Sequence, residues 1–430
     1  MRPVRASSGG LLRLNVLLFL ASGSTGLVNY LYHVVVGHLL SPAAYGTVAA
    51  LTNLSNIALI PTTIVLTVFT RAAAALSSSH AVGQLRDIWI HLTRWLLAGG
   101  LAAALIFSIG LSSVVARFFG IPREGGTVAL LGTAYIVGFA LSLNLGLLQG
   151  MQRFGWYAAI TAGSPVLRVV LATFFILAGW GASGAVLGLA VASVLPYALS
   201  FLPARAAVRH AARRPGNLRP WITFSMTVAV ATIASTLLAN FDLILVKHFL
   251  PASDAGNYAA LATTGKMVLY LGGSVGIVMF PKVAAAQARG ERHGDLLGFS
   301  LAAVLVLSLI ALVPFTACPA FILTHLFGPA YADLHGYLPW YGLAMLFFAL
   351  SSALIQYFLA LGRRAFLWPV LACCLLQAGA LWAWHAGVGQ ILLVMVISMG
   401  MLLLSLTWLC IVTRGPGHET AGIRTRQYVP

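Results

Sequence analysis

The feature that most restricts this chain is a succession of apolar runs of roughly 20 residues, the length a helix needs to cross a bilayer. They recur from Leu11 to Thr413. Outer-membrane barrels carry only short alternating segments, so the runs predict helices. Composition agrees: 60% of the 430 residues are hydrophobic and 8% are charged, against about 25% charged in soluble domains. The expectation is an all-α integral membrane protein.

The first run reaches about Leu40, too long for a signal-peptide core of about 7–15 residues, and reads as helix 1. The following runs predict helices at 43–70, 88–116, 127–149, 155–179, 184–207, 220–249, 255–280, 296–324, 335–361, 365–386 and 388–413. Lys and Arg accumulate on the cytoplasmic side of membrane proteins, which tests this count of twelve. With both termini cytoplasmic, 20 of the 25 basic residues fall on the inner side, leaving Arg117, Arg123 and Lys247 outside and Arg168 and Lys266 within spans. The net charge of +17 is therefore a topology signal, and no nucleic-acid partner is expected. Cys318, Cys373, Cys374 and Cys410 lie in apolar runs without metal or redox spacing, so neither a metal nor a bound cofactor is expected. The ten tryptophans, Trp89 among them, cluster toward helix ends as an interfacial belt.

The chain also repeats itself. His38 to Leu51 aligns without gaps on His248 to Leu261 and matches at six of fourteen positions. Phe69 to Ala75 corresponds to Phe280 to Ala286, and the spacing Gly150, Phe154, Trp156 to Gly362, Phe366, Trp368. Two six-helix halves follow, 1–208 and 220–414, around a central cavity, with a basic cytoplasmic linker at 209–219 and a cytoplasmic tail at 415–430. An even number of helices per half gives both halves the same orientation, as in secondary transporters.

Leu40-Ser-Pro-Ala-Ala-Tyr-Gly46, Leu147-Leu-Gln-Gly-Met-Gln-Arg-Phe154, and Asn240-Phe-Asp-Leu-Ile-Leu-Val246 leading into Ala255-Gly-Asn-Tyr258 resemble the polysaccharide-transport branch of the multidrug/oligosaccharidyl-lipid/polysaccharide exporter superfamily. The resemblance spans nearly the whole chain. It implies a flippase that moves an undecaprenyl-pyrophosphate-linked oligosaccharide across the bacterial inner membrane by alternating access. Polysaccharide polymerase and glycosyltransferases would be its neighbours in the pathway, and membrane lipids its surroundings. Lipid II flippases of the superfamily usually carry two further helices, which this chain lacks.

Charges in mid-span are expensive and normally face a bundle interior or a wet cavity. Arg168 and Lys266 both fall near the midplane, in opposite halves, and together suit a pyrophosphate, Arg through its planar fork and Lys as a point charge. Neutralisation within the bundle is the alternative, Lys266 by Asp242 and Arg168 by carbonyls near Pro165. Asp242, with Asn240 on the same helix, is the candidate for coupling to a Na⁺ or H⁺ gradient, or else a structural partner of Lys247 or Lys266. Asn29, Tyr30, Asn53 and Asn56 could meet sugar hydroxyls or bond between helices, the latter being the commoner use. Pro61 and Pro281 are candidate hinges near the cytoplasmic ends of helices 2 and 8. His38 and His248 occupy matching outer helix ends, where a structural role outweighs pH sensing.

No Gly-x-x-x-x-Gly-Lys-Ser/Thr loop occurs, and the loops are too short for a nucleotide-binding domain. The loop signature of major facilitators is missing after helix 2. The outer face offers only Glu124, Asp254 and Asp333 as acids, unpaired, which disfavours a ligase or polymerase. A multidrug exporter of the same superfamily is the closer rival, although drug exporters favour acidic cavities and the midplane charges here are cationic.

Overall fold

The computed structural model describes residues 26–78, 81–121, 125–216, 219–288 and 294–413. Among them every regular element is helical, because a helix satisfies its own backbone where no water can. Helix α1 covers 26–39. The second crossing is built from α2 (Pro42–Ala58) and α3 (Ile60–Ser78), the third from α4 (Val82–Leu105), a π-helical stretch (Ile106–Leu111) and α5 (Ser112–Phe118). Next come α6 (Gly125–Gly150), α7 (Phe154–Phe175) with its π-helical end (Ile176–Trp180), and α8 (Gly181–Val208). The other six crossings are α9 (Arg219–Phe249), α10 (Ala252–Ala288), α11 (Gly294–Ala317), α13 (Leu338–Ala360), α14 (Leu367–Ala383) and α15 (Val388–Thr413). Between α11 and α13 lie α12 (Pro319–Phe327) and a 3₁₀ turn (Pro329–Tyr337). Among the described residues the helices thus group into the twelve expected crossings. The start of helix 1, Arg123, Arg289, Arg292 and the tail at 415–430 lie outside the described residues.

Proline and glycine set where crossings bend or reverse. The second crossing breaks at Leu59 (φ −91°, ψ 5°), just ahead of Pro61, which lacks the N–H to continue the helix. This bend falls near the middle of the crossing rather than at its cytoplasmic end, since α3 runs on to Ser78. The predicted helix 296–324 ends at Ala317 because Pro319 disfavours helical backbone at Cys318. The 55-residue stretch Phe154–Val208 is far longer than the roughly 20 residues one crossing needs. It folds back through Gly179 and Gly181, at φ 90° and 52°, which glycine adopts freely. Above the turn α7 and α8 touch closely: a Cβ on Gly188 would stand 2.6 Å from Ala172.

By packing the chain divides into two units, Met1–Thr263 with Ala320–His335, and Thr264–Pro319 with Gly336–Pro430. In the first, Leu85, Leu143, Leu147 and Ala204 bring α4, α6 and α8 together. Trp89 is not interfacial: it is buried there, donating to Asn144 Oδ1 (2.9 Å), while Asn144 donates to Ser200 (2.9 Å). That fully partnered chain is what permits polar groups in such a core. In the second unit, Val304 of α11 packs on Ala349 and Ala353 of α13.

The repeat is visible in the backbone. Leu40 N–H bonds Val36 C=O and Leu250 N–H bonds Val246 C=O. The inner turns match likewise: Arg153 N–H to Leu148 C=O, and Arg363 N–H to Phe358 C=O. Gln152 (φ 58°) stands where the second copy has Gly362 (φ 66°), so the turn's equivalent of Gly362 is Gln152 and not Gly150. At the outer end the equivalent glycines Gly46 and Gly256 touch, and a Cβ on Gly256 would strike the Pro42 carbonyl oxygen.

Candidate functional site

Exposure along each helix tells lipid-facing from inward-facing positions. On α7 and its π-helical end the exposed large apolar side chains include Trp156, Val166, Val170, Phe174 and Leu177, a stripe that repeats with the helix period and suits lipid. At about 100° per residue Arg168 lies roughly 160° from the middle of that stripe. On α1 the exposed stripe includes Leu27 and Leu31, and Asn29 lies about 180° from it. These two inward residues meet. Arg168 donates through Nη1 to Asn29 Oδ1 at 3.3 Å, and its guanidinium carbon stands 5.8 Å from the centroid of the Tyr32 ring, within cation–π range.

Arg168 is only partly buried although it faces away from the lipid stripe. A guanidinium carries five N–H donors in a fixed fork. Among the described residues, Asn29 takes one of them.

The second crossing shows the same inward character. Its exposed positions are Asn56, Ala58, Pro61, Thr63, Thr67, Arg71 and Ala74. None of its large apolar side chains is among the exposed ones, so this face does not address lipid. Thr63, Thr67 and Arg71 recur at intervals of four on one face of α3, and Thr67 donates to the Thr63 carbonyl at 2.8 Å. Sequence reasoning missed this stripe, because threonines within an apolar helix carry no signal until exposure is known. The i, i+4, i+8 spacing was the available clue.

The remaining candidates fall as follows. Asn56 is exposed and Tyr30 half-buried, whereas Asn53 is buried and donates to the Ala49 carbonyl of its own helix at 2.8 Å. Asp242 is fully buried on α9, its Oδ2 accepting from the Tyr258 hydroxyl at 2.9 Å. Asn240 is half-buried and donates to the Thr236 carbonyl at 2.8 Å. Lys266 is 6% exposed, on α10 in the second unit. Position 281 lies inside α10, which continues to Ala288. At the outer end His248 donates through Nδ1 to the Phe118 carbonyl (2.5 Å) and stacks on its ring at 3.9 Å, while His38 is exposed and donates to Val34 C=O. Tyr331 shares its hydroxyl between the carbonyls of Gly37 (3.0 Å) and Leu40 (3.1 Å), closing the end of α1. Among the described residues, no group of three or more His, Cys, Asp or Glu could hold a metal ion.

Comparison with known proteins fits this geometry. Residues 11–287 match the family described as polysaccharide biosynthesis protein. No curated protein matches the sequence. Among solved structures, an inward-facing multidrug resistance MATE family transporter of the MOP superfamily superposes with a TM-score of 0.74 at 13% identity, covering 95% of this chain and 100% of that one. The lipid II flippase MurJ, in an inward closed conformation, gives 0.71 at 12% identity, covering 92% and 87%. The eukaryotic MATE transporter AtDTX14 gives 0.65 at 14%, covering 96% and 98%. At such identities the likeness is one of fold.

Proposed function

The chain belongs to the polysaccharide biosynthesis protein family, and on that premise we propose that it is a flippase for a lipid-linked oligosaccharide. It carries an undecaprenyl-pyrophosphate-linked repeat unit from the cytoplasmic to the periplasmic leaflet of the bacterial inner membrane, for surface polysaccharide assembly. The observation that carries this reading is Arg168, held by Asn29 and Tyr32 on the face of α7 that points away from lipid. A partly exposed inward guanidinium offers a pyrophosphate a planar, charge-assisted fork. The polar stripe of Asn56, Thr63 and Thr67 offers hydroxyl and amide partners to sugars, and Arg71 a second cation toward the cytoplasmic end.

The polyprenyl tail stays in lipid while the head group crosses by alternating access between inward and outward states. Asp242 couples the cycle to a Na⁺ or H⁺ gradient as a carboxylate with no exposure, held by the Tyr258 hydroxyl in the body of α9. No bond is made or broken in this scheme, so a polymerase or ligase has to act after it.

Likeness to multidrug transporters keeps small-molecule export as the second reading. Proteoliposomes holding the full-length protein separate the two. The flippase reading expects a fluorescent undecaprenyl-pyrophosphate oligosaccharide to reach the far leaflet in a protein-dependent manner, with an imposed proton or Na⁺ gradient changing the rate and Asp242→Asn abolishing that response. Transport of cationic dyes without lipid translocation would replace it by the exporter reading.

A further inference from the structure

The stretch between α8 and α9 is the most basic in the chain, and it is no slack tether. Its described part, 209–216, is fastened to the first turns of α4. Arg86 donates to the carbonyls of Arg209 (3.1 Å) and Ala211 (2.8 Å). Asp87 accepts from Arg213 Nε (2.5 Å) through one oxygen and from the Gly216 N–H (3.3 Å) through the other. The Arg214 N–H donates to Gly83 C=O at 3.2 Å. Gly83 is obligatory there, since a Cβ would collide with the Ala212 carbonyl oxygen, and Gly216 fits over Ile88 for the same reason.

A loop that only marks the cytoplasmic side needs its charges and not its conformation. Here Arg86 and Asp87 are both engaged in holding the loop's backbone. What the fixed loop presents is a ledge of exposed Arg209, Arg213 and Arg214, with Arg205 exposed on the last turn of α8 and Arg94 exposed two turns along α4 from Asp87. Among the described residues the acid in this region is Asp87, engaged by Arg213 and His91, and Arg94, Arg205 and Arg214 have no ion-pair partner. Trp95, next to Arg94, is 74% exposed, an interfacial tryptophan that sets the ledge at headgroup depth.

We propose that this ledge is a binding surface for the phosphate headgroups of anionic phospholipids in the cytoplasmic leaflet. Arginine forks match phosphate oxygens in pairs. Each basic residue close to an anionic membrane surface strengthens attachment by about fivefold, an effect that fades with salt. The proposal does not depend on what the protein transports.

The test uses full-length protein in phosphatidylcholine nanodiscs containing a minor fraction of dansyl-labelled phosphatidylglycerol, with enrichment beside the protein read as energy transfer from tryptophan. Arg205→Gln and Arg214→Gln should each lower enrichment by about fivefold. Asp87→Asn is the sharper variant. It makes the protein more positive yet releases Arg213 and Gly216, so a built surface predicts a fall and a diffuse positive field predicts a rise. Unchanged enrichment in the two arginine variants, a rise in Asp87→Asn, or full displacement of the lipid by inorganic phosphate would each overturn the proposal.

Discussion

Helices α2–α3 and α10 are copies of one another, and their differences are more instructive than their likeness. At the outer end they keep the same hydrogen bonds, Tyr45 to Ser41 and Ala255 to Pro251, and meet through the equivalent glycines Gly46 and Gly256. Halfway in they diverge. The first copy breaks at Leu59 and leaves a polar face exposed away from the lipid side, with Asn56 on it. The second runs unbroken for 37 residues and buries Lys266 at the position equivalent to Asn56. The repeat therefore sets the joints at the ends, while the middle of each copy is free to specialise. A residue's place in the repeat does not fix its burial, as Asn56 and Lys266 show.

The joint should be the most sensitive part. Gly256→Val forces a branched side chain into the Pro42 carbonyl, an overpacking expected to remove about 3 kcal/mol or more of stability. Loss of folded protein in a thermal unfolding assay checks it, and a tolerated valine would break the idea of a shared joint. Next comes the equivalent pair in the middle. Lys266 is buried and has interaction partners within the protein, so Lys266→Ala removes those contacts, leaves a cavity and should lower stability by about 2 kcal/mol or more. Asn56→Ala, at an exposed site, should change stability by less than about 0.5 kcal/mol while slowing transport several-fold. Equal stability losses in the two variants would erase the contrast. The smallest effect belongs to the inner turns. A non-glycine residue in the left-handed region is disfavoured by about 1–2 kcal/mol, so Gln152→Gly should stabilise and Gly362→Ala destabilise, each by about 1 kcal/mol. Opposite shifts in melting temperature would confirm that the two turns are one motif.

Much of the fold was legible in the sequence because bilayer thickness dictates run length, and run length dictates helices. The twelve crossings and most of their ends follow from that rule and from loop arginines. Local exceptions have local causes: Pro319 ends α11 early, and the helix of the second crossing continues past the apolar run to Ser78. The site was less legible because it depends on which side of each helix meets lipid. Arg168 was recognisable as a charge out of place, and Asn29 as a polar residue on an apolar helix. Their contact joins residues 139 positions apart, which no periodicity encodes. Trp89 was misplaced for a related reason: near a helix end it reads as interfacial, and only the distant Asn144 makes its burial intelligible. Thr63 and Thr67 stayed invisible because threonine is unremarkable in a helix until its neighbours are known.

The central claim is that Arg168 holds the substrate's pyrophosphate, and the most direct measurement is the rate of lipid-linked oligosaccharide translocation in proteoliposomes carrying Arg168→Lys and Arg168→Ala at equal protein amounts. Lysine keeps the charge but loses the fork and the stacking geometry over Tyr32. The account predicts a loss of at least tenfold for alanine and a smaller loss for lysine, with weaker substrate binding in both and an unchanged melting temperature. Translocation at the wild-type rate in Arg168→Ala would contradict it.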